Sequence, residues 1–211
     1  MSNQPKQIIF VVDDDADVRD SLKWLLESVD LNVMVFETAQ LFLDGCPEHA
    51  QGCILMDVRM PGMSGLSAQS QLVERHIYMP LIMISGHADV DMAVSAMTQG
   101  ALTFLQKPFS DQSLIDIVQQ ALRQDFERCQ EAELISNVRV CYAHLTKRER
   151  QVFDDVVKGL ANQDVAEHLG INRKTVEGHR ANMMAKMQAG SLSELIQMSV
   201  ALGLVKSYGQ N

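Results

Sequence analysis

Five short apolar runs punctuate the first half of the chain: residues 8–12 (IIFVV), 32–36 (NVMVF), 53–56 (CILM), 81–84 (LIMI) and 102–105 (LTFL). Runs this short, bounded by polar or turn residues, are read as buried strands. Helical spacing fills the gaps. After Asp14, the positions Val18, Leu22, Leu25, Leu26 and Val29 recur every three or four residues, the mark of an amphipathic helix. Ser64 and Asp89 are expected N-caps for helices carrying Leu66, Leu72 and Val73, and Val90, Ala93, Val94 and Met97. Asp111 is the expected cap of a helix bearing Leu114, Ile117, Val118, Ala121 and Leu122. Five strand-then-helix units predict a parallel sheet with helices on both faces.

The pattern changes beyond Gln124. Residues 124–143 are polar with scattered apolar positions (Phe126, Leu134, Ile135, Val138) and lack Pro and Gly. This segment reads as a linker, helical at least at its start. The rest is helical throughout. Thr146-Lys147-Arg148-Glu149 has the spacing of a capping box and opens a helix with Val152, Val156 and Val157, which Gly159 ends. Asn162 is expected to cap a short helix with Val165, Ala166 and Leu169. After the turn at Gly170-Ile171, Asn172 caps a longer helix reaching about Met187. Ser193 starts a last helix through Leu195, Ile196, Val200 and Leu202. Short helix, glycine turn and longer helix make a helix-turn-helix signal. The expected domains are residues 1–123, a linker 124–142, and 143–211.

Composition narrows the class. The 211 residues are 46% hydrophobic and 21% charged, values of a soluble globular protein. No apolar run approaches the roughly 20 residues needed to span a bilayer, and the start MSNQPKQ lacks a secretory pattern; the expected location is cytoplasmic. Cys46, Cys53, Cys129 and Cys141 show no metal or disulfide spacing, nor do His49, His76, His144 and His168, and the 13 methionines read as core filler. Charge is uneven. Residues 1–139 hold 9 Lys+Arg against 20 Asp+Glu, and residues 140–211 hold 9 against 7. Binding to a phosphate backbone needs local positive charge, which places any nucleic-acid contact in the second half.

Four of the five runs stop at reactive groups. The first ends at Asp13-Asp14-Asp15, the third at Asp57, the fourth at Ser85-Gly86 and the fifth just before Lys107-Pro108. In an open parallel sheet, chemistry gathers at the carboxyl ends of the strands. Three carboxylates, a hydroxyl and an ammonium are therefore expected at one edge. Clustered carboxylates need a counter-charge. Mg²⁺ can supply it with one or two carboxylates plus waters and phosphate oxygens, and a carboxylate can accept a phosphoryl group. The acidic triplet alone reads equally well as a solvated helix N-terminus; its combination with Asp57, Ser85 and Lys107 favours a site. His87 reads as a polar loop residue beside it.

The stretch VVDDD…DVRMPGMSG…ISGHAD…AM…GA…FLQKPF resembles the receiver domain of two-component response regulators, closest to the FixJ-type branch, over residues 8–123. The resemblance implies that Asp57 is the phosphoacceptor. It implies that Asp14 binds Mg²⁺ directly, Asp13 through water, and that the Arg59 backbone carbonyl completes the protein ligands. Ser85 and Phe104 become a switch pair, Lys107 the phosphoryl-binding lysine, and Lys107-Pro108 a cis bond. This sequence departs from the pattern with Ser85 where Thr is commoner, and with Ala88 and Asp91 for a frequent Gly and Pro. Phosphorylation would add up to two negative charges to the pocket, biasing a two-state element through Ser85 and Phe104.

The stretch LTKRERQVF…KGLANQDVAEHLGINRKTVEGHRANMMAKM resembles the LuxR-type helix-turn-helix domain over residues 143–204. Its recognition helix would present Arg173, Lys174, Thr175, Glu177, Gly178, His179, Arg180, Asn182 and Lys186 to DNA, while Val176, Met183 and Met187 face the core. Glu177 either reads cytosine or faces away; Gly178 costs roughly 1 kcal/mol against Ala and would allow close approach to a base edge. The last helix resembles the family's dimerisation helix. The combined reading is an α/β receiver, a flavodoxin-like doubly wound five-stranded parallel sheet, followed by an all-α helix-turn-helix domain. It would act as a non-enzymatic transcription regulator partnered by a histidine kinase, promoter DNA, RNA polymerase and, once phosphorylated, a second copy of itself. The rival reading is an aspartyl-phosphate phosphatase or phosphotransferase of the haloacid dehalogenase type. That class places a DxD nucleophile after the first strand. A third reading is a regulator that works without phosphorylation.

Overall fold

The computed structural model describes residues 6–86 and 90–205 and divides into two compact units, Met1–Cys129 and Gln130–Asn211. In the first unit, strands β1 (Ile8–Val12), β2 (Val33–Phe36), β3 (Gly52–Asp57), β4 (Leu81–Ser85) and β5 (Thr103–Gln106) form one parallel sheet in the order β2-β1-β3-β4-β5. This is the flavodoxin-like order, with its switch point between β1 and β3. Alternation sorts the side chains. Phe10, Val12, Ile54, Met56 and Met83 lie under α2 (Ala39–Gly45), α3 (Gly65–Glu74) and α4 (Val90–Thr98). Ile9, Val11, Leu55, Ile82 and Ile84 lie under α1 (Ala16–Glu27) and the start of α5 (Asp111–Ala143). β3 and β4 are buried from end to end, as central strands must be.

Helix α5 runs unbroken for 33 residues, so the expected linker is helical throughout. Its Asp125 is fully buried and accepts the Gly52 N–H (2.7 Å) and Arg128 Nη2 (2.7 Å), pinning the helix to the start of β3. A Cβ at Gly52 would collide with the Ile8 carbonyl, which explains a glycine there.

In the second unit, α6 (Lys147–Val156), α7 (Asn162–Leu169), α8 (Arg173–Met187) and α9 (Leu192–Ala201) enclose Val152, Phe153, Val165, Val176, Met183 and Leu195. Val138, Cys141 and Tyr142 of α5 pack on this core. Tyr142 meets the Phe153 ring edge-on and Arg150 over its face. Gly170 turns the chain between α7 and α8 at φ +64°.

Several caps differ from expectation. Helix α5 starts at Asp111 itself, and Ser110 Oγ accepts the Ser113 N–H (3.2 Å). Ala161, not Asn162, precedes α7, and Asp164 reaches back to the Ala161 N–H (3.2 Å). Ser191, not Ser193, caps α9. Asp89, expected to cap α4, lies with His87 and Ala88 outside the described residues. The apolar stripe of α4 is not core: Val90, Val94 and Met97 are 75%, 58% and 47% exposed, and Ala96 is the helix's buried residue.

Candidate functional site

The carboxyl ends of β1, β3, β4 and β5 bring four of the expected side chains to one edge. Asp13, directly after β1, is buried, as are Asp57 and Ser85, which close β3 and β4. Lys107, just past β5, joins them: its Nζ donates to Asp13 Oδ2 (2.8 Å) and to Asp57 Oδ1 (3.1 Å). Backbone contacts fix both acids. The Arg59 N–H donates to Asp57 Oδ2 (2.7 Å), the Asp15 N–H to Asp13 Oδ1 (3.0 Å), and Arg19 Nη1 to the Asp13 carbonyl (2.6 Å). The Lys107 N–H bonds the Ser85 carbonyl (2.8 Å), tying β5 to β4 before a cis Lys107-Pro108 bond.

Burial pushes the Asp57 carboxyl above the ordinary carboxylate range, although Lys107 and the Arg59 N–H pull it down. Lys107 is pulled down by burial, but its bonds to Asp13 and Asp57 outweigh that and hold it above its usual value. The pocket is thus a buried acid pair neutralised in part by one cation.

Asp14 is exposed. Among the described residues no three Asp, Glu, His or Cys side chains form a metal cluster, so the expected convergence of three carboxylates is not seen. The chain turns outward one residue after Asp13, into the cap of α1 at Asp15. Phe104 is half-buried on β5 opposite Met83, on the face that carries Leu81 and Met83. Ser85 continues that alternation, so Ser85 and Phe104 share one face of adjacent strands. Sequence reasoning missed Arg19, whose bond to a backbone carbonyl has no spacing signal. It also missed a groove of about 750 Å³ beside Lys107, lined by Asp17, Ser21, Trp24 and Phe109, with Trp24 74% exposed.

In the second unit, Asn172 caps α8, accepting the Thr175 N–H (2.8 Å). Val176, Met183 and Met187 face inward as expected. Arg173, Lys174, Thr175, Glu177, Gly178 and Asn182 are exposed, and His179 is half-buried. Two further residues of the expected DNA face, Lys186 (exposed) and Arg180 (half-buried), also hold partners within the protein. Lys186 Nζ donates to the buried Glu149 Oε2 (2.7 Å), and Arg180 Nη1 to Asn162 Oδ1 (2.7 Å). Glu149 also accepts the Thr146 N–H (2.7 Å), completing the capping box of α6. The Lys186 bond and this cap hold the Glu149 carboxyl down at about 2.

Residues 9–119 match the response regulator receiver domain family, and residues 143–199 the bacterial regulatory proteins of the luxR family. The transcriptional regulatory protein FixJ of Bradyrhizobium diazoefficiens is 40% identical over 197 residues, covering 93% of this chain and 96% of that protein. FixJ of Azorhizobium caulinodans is 45% identical over 196 residues, covering 93% of each. The structure of the response regulator StyR aligns with a TM-score of 0.84 at 40% identity, covering 92% of this chain and 98% of that one. Full-length FixJ from B. japonicum aligns with a TM-score of 0.58 at 39% identity, covering 96% and 100%. With both halves matched in order along nearly the whole length, the chain belongs to the two-component response regulators of the FixJ type, transcription regulators that join a receiver domain to a luxR-family DNA-binding domain.

Proposed function

We propose that Asp57 accepts a phosphoryl group from a sensor histidine kinase and that this switches promoter binding through α8. The observation that carries the reading is Lys107 Nζ held between Asp13 and Asp57 at 2.8 and 3.1 Å. An Asp57 oxygen attacks phosphorus, the phosphohistidine P–N bond breaks, and the imidazole leaves with a proton. Lys107 then holds phosphoryl oxygens as a fixed cation, and the Ser85 hydroxyl donates to another. The groove along α1 beside Lys107 gives the donor protein access. Phe104, on the same face as Ser85, fills the space that the serine side chain leaves.

The donor set fits Mg²⁺: the groups are oxygens, and two buried acids face one lysine, leaving an excess negative charge for a hard cation. Asp13, Asp14, Asp57 and the Arg59 carbonyl would hold it, the exposed Asp14 joining from the rim. Bound there, it would neutralise charge on the transferring phosphoryl group. In the second unit, Arg173, Lys174, Thr175, Gly178, His179 and Asn182 form the DNA face, while Arg180 and Lys186 brace the helices behind it. RNA polymerase contact and a cytoplasmic location complete the reading.

Acetyl phosphate with Mg²⁺ should label the full chain with an acid-stable, base-labile acyl phosphate that maps to Asp57 by mass spectrometry, and Asp57→Asn should reduce incorporation to background. Full labelling of that variant would sink the assignment. Turnover of small phosphoesters without a trapped acyl phosphate would point to a phosphatase.

A further inference from the structure

The first turn of α8 carries two cations, Arg173 and Lys174, and no acid. The helix dipole disfavours cations there, and Asn172 already caps the end. Helix stability therefore does not account for Arg173. It pairs with Glu177, a turn further on: Arg173 Nε donates to Glu177 Oε1 at 2.9 Å, with the side chains 66% and 46% exposed. The order, base before acid, is the weaker one for an i,i+4 pair on a helix, and an exposed pair adds little to stability. What the contact does is orient. It uses the Nε–H and leaves the two terminal nitrogens of the guanidinium out of the bond, the edge that can pair with guanine O6 and N7. It also neutralises the one acid on a helix that must approach phosphates.

Gly178 adjoins this pair. A Cβ there would meet nothing within 4 Å, and its φ is not in the left-handed region. Nothing inside the protein requires a glycine, yet in mid-helix it costs roughly 1 kcal/mol against alanine. An exposed helix backbone without a Cβ leaves room for close approach of a groove edge.

We propose that Arg173 and Glu177 act as one reading unit, in which Arg173 contacts guanine in the major groove and Glu177 is a positioning residue that aims it, with Gly178 giving clearance. This rests on α8 being the DNA-reading helix. It differs from direct cytosine recognition by Glu177, which would leave Arg173 to a separate base pair.

Selection of binding sites from randomised duplexes separates the two, using the full chain loaded with beryllofluoride and Mg²⁺. The variants are Arg173→Lys, Glu177→Gln and the double substitution, all at exposed positions, with matching circular dichroism spectra as the fold control. Arg173→Lys and Glu177→Gln should relax the same base-pair column, each losing roughly 5- to 150-fold discrimination for guanine, the range of one good bidentate contact. The double variant should lose no more than the worse single one. Relaxation of a different, cytosine-bearing column by Glu177→Gln overturns the proposal, as does an unchanged selection. A wild-type protein that enriches no sequence fails earlier, at DNA reading by α8 itself.

Discussion

Glu149 shows how one side chain can serve two elements. It caps α6 through the Thr146 N–H and receives Lys186 from α8 while almost wholly buried. Its carboxyl is held down from 4.5 to about 2, first by the Lys186 bond. A depressed carboxylate stabilises the fold fully above its ordinary value, and the contribution drains away as pH falls through the depressed one. Melting of residues 130–211 should therefore steepen in pH dependence between about 4.5 and 2. Glu149→Gln should remove that slope and destabilise the unit by about 2 kcal/mol at pH 7. Asp57 has the opposite sign. Its carboxyl is raised chiefly by burial, so above the usual carboxylate range its ionised form destabilises the fold. Asp57→Asn should melt higher than wild type at neutral pH in EDTA, by differential scanning fluorimetry. Gln69 is satisfied on one side only. Its Nε2 bonds the Ala96 carbonyl (3.0 Å), whereas its buried Oε1 lacks a partner among the described residues.

At the scale of elements, α4 shows what a pattern leaves open. Val90, Val94 and Met97 recur at helical spacing, but periodicity reports an apolar face, not what covers it. Here those three side chains are exposed. We expect them to be covered by a second copy when Asp57 is phosphorylated. Sedimentation velocity should show a dimer with beryllofluoride and Mg²⁺, and Val94→Asp should leave it a monomer. An unchanged wild-type monomer with enhanced DNA binding would instead mean that activation unmasks α8. The strands were legible because apolar runs of four or five residues between turn signals leave little else possible. Asp57, Ser85 and Lys107 were legible because strand ends in a parallel sheet share an edge. Caps slipped by a residue or two because Ser110, Ser191 and Asp164 compete with neighbours of the same chemistry. Asp14, expected at the same edge as Asp13, is exposed, since adjacent acids look alike in sequence until the backbone turns. Glu149–Lys186 spans 37 residues and Gly52–Asp125 spans 73, separations at which sequence holds no pairing signal.

For the molecule as a whole, charge is divided between the halves: strongly acidic up to residue 139 and mildly basic beyond. The second unit includes the last turns of α5, because Val138, Cys141 and Tyr142 belong to its core. A fragment of residues 130–211 should bind promoter DNA in gel-shift titrations at fixed salt more tightly than the unphosphorylated full chain. A fragment cut after Tyr142 should be less stable. If residues 130–211 fail to bind where the full chain succeeds, the division of labour is wrong. The pairing of Lys186 with Glu149 also bears on solution behaviour. A cation already neutralised by a carboxylate displaces no counterion when DNA arrives, whereas one bonded to a neutral amide keeps its charge. The slope of log affinity against log salt should therefore follow the free cations of α8, not its formal charge. Lys174→Gln should flatten that slope by about 0.9, whereas Lys186→Gln should weaken the fold and leave the number of ions released unchanged.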